Sequence, residues 1–249
     1  MRSSFGDLVS RTLLCFFLAL APLGCWSATW QPKRALAPAG SPTTMPAIEP
    51  SQQSAADAVD RPTGEPYTGD LSIFEDPKRE QQLQIDRVMD ILGIRTGSNV
   101  ADIGAGSGWF TVRAARLAGP GGMVYAVEIN RDYLDYIEKR AKRENLTNIR
   151  IILGKEDDPL LPQKSVDAVL LLKTYHEVAQ PIRLLKRTLE SMRPGALLGI
   201  IDRNGKGDDH GIDSDIVIKE AERAGFAIVG QYDFVKSDGV DYLLVFRAK

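Results

Sequence analysis

Cysteine is nearly missing from this chain of 249 residues: only Cys15 and Cys25 occur, both close to the N-terminus. Everything after them therefore lacks a disulfide, a thiolate nucleophile and a cysteine metal site. An excess of either charge is also missing, since 31 basic and 33 acidic residues leave a formal net charge of −2. Nothing in that balance supports nucleic acid as the main partner. No internal repeat is visible, which sets aside solenoids and arrays. No glycine run is followed by Gly-Lys-Ser or Gly-Lys-Thr, so P-loop chemistry is excluded.

What is present begins with an apolar leader. Arg2 and Arg11 precede Thr12 to Leu23, an apolar run followed by Gly24-Cys25. A basic start and a short apolar core are the marks of an export signal, and the run is short for a membrane span. Residues 1–28 are expected to be a signal peptide or lipoprotein leader. Cys25 is its candidate lipidated residue, although Pro22 stands where such signals usually have an aliphatic side chain. Cleavage near Ser27 without lipid is the rival. The domain would then be exported or membrane-attached in a bacterial envelope, or anchored facing the cytosol. Residues 29–66, rich in Pro, Ala, Ser and Thr, read as a disordered tether. The folded domain is expected over 67–249.

The chain is organised around Asn99 to Phe110. Asn99 to Ile103 reads as a buried strand, Gly104-Ala105-Gly106-Ser107-Gly108 as a tight turn, and Trp109 to Leu117 as a helix. Alternate glycines let backbone approach a ligand, and the following helix aims free N–H groups over the turn. The spacing is G-x-G-x-G rather than the dinucleotide G-x-G-x-x-G, and Asp102 precedes it with no Lys or Arg in the loop. Pyrophosphate beside that carboxylate would cost several kcal/mol at roughly 4 Å. A cationic ligand suits it. Met123 to Val127 forms a second strand ending in Glu128, at the offset where an acid meets ribose hydroxyls.

These features resemble the class I S-adenosylmethionine-dependent methyltransferases. Phe74-Glu75-Asp76-Pro77, Ala101 to Phe110, Glu156-Asp157-Asp158-Pro159 and Tyr175-His176-Glu177 further resemble a group of small bacterial methyltransferases. The resemblance implies S-adenosyl-L-methionine as cofactor and a small-molecule methyl acceptor. It also implies a lid made by Tyr67, Phe74 and Arg79.

The rest of the pattern agrees with an α/β fold. A helix is expected from Asp76-Pro77 to Gly93, and another after Asn130 with Tyr133, Leu134, Ile137 and Ala141 on one face. The charged run Glu138 to Glu144, Arg140 included, reads as a solvated face. Strands follow at Ile149–Leu153, Val166–Leu172 and Leu197–Ile201, with a helix over Gln180–Met192. A helix at Ser214–Ala224 and a strand pair, Ala227–Phe234 and Asp241–Arg247, close the chain. The expected fold is a Rossmann-like, doubly wound, mostly parallel seven-stranded sheet with a C-terminal antiparallel hairpin.

Ligands in such sheets lie past the C-terminal strand ends. The cofactor-binding residues expected there are Asp102, Gly104, Ala105, Gly106, Gly108, Glu128, Ile129, Glu156, Asp157 and Lys173. Asp102 would take the methionyl ammonium, Glu128 the ribose hydroxyls, Ile129 the adenine face, and Glu156 or Asp157 the adenine amino group. His176 and Tyr175 are the catalytic candidates, with His176 as base or as a structural histidine. No metal is expected, because Asp208-Asp209-His210 is a single cluster with no second ligand group. Two rival functions remain: a noncatalytic S-adenosylmethionine-binding protein, and a nicotinamide-dependent oxidoreductase.

Overall fold

The computed structural model describes residues 59, 61–64, 69–205 and 210–249. The leader, most of the tether, Tyr67, Asp208 and Asp209 lie outside the described residues. Among the described residues, no helix is long and apolar enough to cross a membrane.

Seven strands form one sheet: β1 (Asn99–Ile103), β2 (Met123–Glu128), β3 (Ile149–Leu153), β4 (Val166–Leu172), β5 (Met192–Arg203), β6 (Phe226–Tyr232) and β7 (Asp241–Ala248). Their order is β3-β2-β1-β4-β5-β7-β6. β1 to β5 pair in parallel, and β7 runs antiparallel to both of its neighbours. Strand order reverses between β1 and β4, which opens a crevice past their C-terminal ends.

The continuous apolar strands are explained by two covered faces. Along β4, Val169 and Leu171 belong to one core while Ala168, Leu170 and Leu172 belong to the other. α5 (Pro181–Ser191) and α6 (Ser214–Arg223) cover the first face through Ile182, Leu185, Val217 and Ala221. α1 (Arg79–Leu83), α2 (Ile85–Ile91) and α3 (Trp109–Ala118) cover the second. α4 (Arg131–Arg143) packs Leu134 and Ile137 on Ala105 and Ala126. The period of two along a strand puts Asp102 on the face of Val100, and Glu128 on the face of Ala126 and Val124. Both acids therefore point to the side covered by α3 and α4.

Three expectations are corrected. The single helix expected from Asp76 to Gly93 is two short helices, because Gln84 between them adopts φ 47°. Tertiary contacts hold that break: Gln84 donates to the Phe234 carbonyl at 3.1 Å, and the Lys236 N–H donates to the Gln82 carbonyl. Arg140 is not solvated. It lies buried between Glu75 and Glu144, paired with both. Finally, the last residues of the expected tether belong to the domain. Arg61 makes a two-pronged pair with Glu220 at 2.8 and 2.7 Å, and also donates to the Tyr175 and Val178 carbonyls.

With side chains only 13% and 7% exposed, Arg61 and Glu220 form a pair whose disruption leaves a charge buried. Removing one partner of such a pair costs about 3 kcal/mol. Arg61→Ala is expected to destabilise the full chain by that amount in urea denaturation; a loss below about 1 kcal/mol would show that residues 61–64 do not belong to the folded unit.

Candidate functional site

The three loop glycines all have positive φ, at 73°, 54° and 73° for Gly104, Gly106 and Gly108. Their surroundings differ. A Cβ on Gly104 would stand 2.1 Å from Thr174 Cγ2, and one on Gly108 would stand 2.9 Å from Ile137 Cγ1. Gly104 lets the segment after β4 close on the loop, and Gly108 lets α4 close on α3. A Cβ on Gly106 would meet nothing within 4 Å. That open side is where a ligand can lie against bare backbone.

The loop is tied to the β2 tip. The N–H groups of Gly104 and Ala105 donate to the Val127 carbonyl, and that of Gly106 donates to Glu128 Oε2 at 3.0 Å. Ala105 faces the core under α4, so only its backbone borders the site. Glu128 also accepts from the N–H groups of Ile129 and Asn130, at 2.8 and 3.2 Å. Three backbone N–H donors thus converge on this one carboxylate. Ile129 is 50% exposed, an apolar surface presented beside that carboxylate.

Asp102 is 1% exposed, and its Oδ2 accepts from the Thr111 hydroxyl at 2.6 Å. Burial pushes its carboxyl up to about 7, with the negative Glu128 adding to the rise and Thr111 and Arg79 opposing it. Thr111 follows Trp109 in the first turn of α3, so helix geometry brings it back over the β1 tip. The sequence reading had missed it. Nothing but its place in that turn signalled it.

A clamp crosses the other side of the loop. Glu75, at the end of the 3-10 turn Leu71–Glu75, accepts from the Ser107 hydroxyl at 2.8 Å and pairs with Arg140. Arg140 also donates to the Ser107 carbonyl at 3.2 Å. Arg79 donates to the Phe74 carbonyl and stacks 4.8 Å above Trp109. Phe74 and Arg79, expected as a lid, thus sit on the segment clamped to the loop. A cavity of about 210 Å³ lined by Leu71, Asn130, Tyr133 and Tyr136 lies beyond this clamp and shares no residue with the glycine loop.

The acceptor side is built on Thr174 to Glu177. Thr174 donates to the Gly104 carbonyl at 3.2 Å, fixing this segment to the loop. His176 Nδ1 lies 2.9 and 3.0 Å from the two oxygens of Asp202, a fully buried acid at the end of β5. The His176 N–H also donates to Asp202. His176 Nε2 lies 3.4 Å from Glu177 Oε1, which is also 3.4 Å from His210 Nδ1.

Two expected site residues lie elsewhere. Tyr175 is fully buried in the core, where its hydroxyl donates to Glu220 at 2.8 Å. Burial and that acid push the phenol well above its usual range, so it is no catalytic group. Lys173 turns toward β7 to pair with Asp241 at 2.5 Å, away from β1 and β2. Of the adenine candidates, Glu156 is exposed on the turn closed by Lys155 and Asp158, while Asp157 faces Arg183 at 3.5 Å.

Residues 100–195 match the family described as a methyltransferase domain. Over that stretch the chain is similar to methyltransferase domains. S-adenosylmethionine is the cofactor that this domain implies, and a turn with free space at Gly106 next to two acids suits a cationic nucleoside. Over 111 residues the chain is 25% identical to a protein-L-isoaspartate O-methyltransferase of Pyrococcus horikoshii, covering 45% of this chain and 47% of that one. Over 107 residues it is 24% identical to a demethylmenaquinone methyltransferase of a Geobacillus strain, covering 43% and 46%. The chain thus spans about half the length of these curated relatives. A solved methyltransferase from Aquifex aeolicus shares the fold with a TM-score of 0.65 and 22% identity, over 71% of this chain and 95% of that one.

The raised Asp102 pKa sets a pH dependence. Its folded-state value lies above the ordinary 3.8, so its protonation stabilises the fold and that contribution is lost as pH rises through about 7. A cationic ligand needs the ionised form. Affinity for S-adenosylmethionine, measured by calorimetry, is expected to rise by up to about tenfold from about pH 6 to about pH 8. Asp102→Asn should flatten that profile, bind weakly throughout, and melt at a higher temperature than the parent above neutrality. An unchanged profile in the variant would contradict the assignment.

Proposed function

We propose that the protein transfers a methyl group from S-adenosylmethionine to a small-molecule acceptor bound against His176. One observation supports this most: two carboxylates on one sheet face, Asp102 and Glu128, end neighbouring strands beside the glycine turn and feel each other's charge, with a Cβ at Gly106 meeting nothing within 4 Å and Ile129 half exposed. Asp102 binds the methionyl ammonium. Glu128 releases the Gly106 N–H and accepts from the ribose hydroxyls. Ile129 packs on the adenine, and Glu156 or Asp157 accepts from its amino group. A nicotinamide dinucleotide fits less well, because its pyrophosphate would meet Asp102 with no basic residue in the loop.

When bound, S-adenosylmethionine supplies a methyl carbon on a positively charged sulfur. The chain's task is alignment, since positioning alone is worth roughly 7–11 kcal/mol in well-oriented reactions. Thr174 sets the acceptor segment against Gly104. Asp202 holds His176 through Nδ1 and directs Nε2 away from itself, ready to draw a proton from an acceptor hydroxyl, amine or thiol.

Incubation of the protein with labelled S-adenosylmethionine and a metabolite extract tests the reading. A labelled small molecule and S-adenosylhomocysteine are the expected products. Cofactor binding without any labelled product would favour the noncatalytic alternative. With an acceptor in hand, His176→Ala is expected to lower kcat by about a hundredfold or more with little effect on cofactor affinity. Glu128→Gln should instead weaken cofactor binding by about tenfold or more, seen by calorimetry with S-adenosylhomocysteine.

A further inference from the structure

His210 is exposed, and in the sequence it stood in a single cluster with no second ligand group. The fold brings it to a second pair of ligand atoms. His176 Nε2, Glu177 Oε1 and His210 Nδ1 all lie within 4.8 Å of one another. Glu177 Oε1 stands 3.4 Å from each imidazole nitrogen. That is long for a hydrogen bond between charged partners. It is the right length for something else: two atoms each about 2.1 Å from one tetrahedral ion stand roughly 3.4 Å apart.

The surroundings hold these atoms in place. Asp202, fully buried, engages His176 Nδ1 and so leaves Nε2 as the nitrogen with a lone pair facing the cluster. A carboxylate on the far nitrogen of a histidine is the arrangement that orients metal-ligating imidazoles. Glu177 Oε2 accepts the Gly64 N–H at 2.7 Å, which turns Oε1 toward the two histidines. The two rings meet edge to face, with centroids 6.1 Å apart and planes at 76°, so they converge on the cluster rather than stack.

We propose that His176, Glu177 and His210 bind a divalent first-row transition ion, with two nitrogens and one oxygen as ligands and one position open. Imidazole and carboxylate donors suit zinc and its neighbours better than magnesium. The ligand set stands independently of methyl transfer; the role that follows rests on that reading. With Nε2 on the ion His176 is a ligand and no longer the base, so an acceptor hydroxyl or thiol in the open position would lose its proton to solvent, because a bound divalent ion lowers its pKa. Its lone pair then forms the bond to the methyl carbon. The electron pair of the breaking carbon–sulfur bond stays on sulfur, which leaves as a neutral thioether. Acceptors with an ionisable oxygen or sulfur are thereby selected over amines, whose single lone pair the ion would occupy.

The test uses the full chain, stripped with a chelator and titrated with Zn²⁺ against a chromophoric competitor. One Zn²⁺ per chain is expected, and His210→Ala and Glu177→Gln should each weaken it by about tenfold or more. His210 is 79% exposed, so its loss should leave the melting temperature unchanged. Affinity for S-adenosylhomocysteine, measured on the same samples, should be equal in parent and variants; its absence in all of them would count against the cofactor reading and not against the metal. Zinc binding that is absent in the parent, or equal in parent and His210→Ala, would overturn the metal site.

Discussion

Two carboxylates at the tips of adjacent strands cannot both be charged cheaply once water is removed. The structure resolves this by unequal treatment. Glu128 receives three backbone N–H donors, whereas Asp102 has the Thr111 hydroxyl and lies so deep that its carboxyl is pushed up to about 7. A ligand with positive charge relieves that strain directly. The tie from Gly106 to Glu128 and that from Thr111 to Asp102 fix the pair on either strand tip beside the glycine turn.

The acceptor side depends on a different constraint, the fixing of a short segment after β4 from several directions. Gly104 accepts Thr174 because it has no Cβ, Asp202 holds His176, and Gly64 holds Glu177. Arg61 holds the Tyr175 and Val178 carbonyls while neutralising Glu220, which in turn accepts from Tyr175. Arg61 and Gly64, expected in the tether, therefore shape the half of the cleft where chemistry would occur. Cofactor side and acceptor side meet where Thr174 contacts Gly104.

Much of this was legible in the sequence, for physical reasons. Buried parallel strands leave continuous apolar runs, so β1 to β4 and their helices were found close to their observed bounds. Asp102, Glu128, Ile129 and the glycines were legible because strand ends and turn spacing dictate them. Tyr175 was misread because adjacency to His176 says nothing of side-chain direction; its ring turns into the core while its neighbour meets Asp202. Arg140 was misread because helical periodicity assigns a face but not the acid, Glu75, that arrives from 65 residues away. The expected helix broke at Gln84 through contacts of Gln84 and Gln82 with the segment after β6, and no local signal encodes those. Lys173 and Asp241, from the ends of the domain's middle and last strands, were joined only by sheet order.

The account turns on Glu128 exchanging one partner for another when the nucleoside arrives. A crystal structure of the protein with S-adenosylhomocysteine measures this directly. The predicted result is a Glu128 carboxylate bonded to both ribose hydroxyls, with the Gly106 N–H released and the amino acid portion above Asp102. A nucleoside bound elsewhere, with Glu128 still accepting from Gly106, would contradict it.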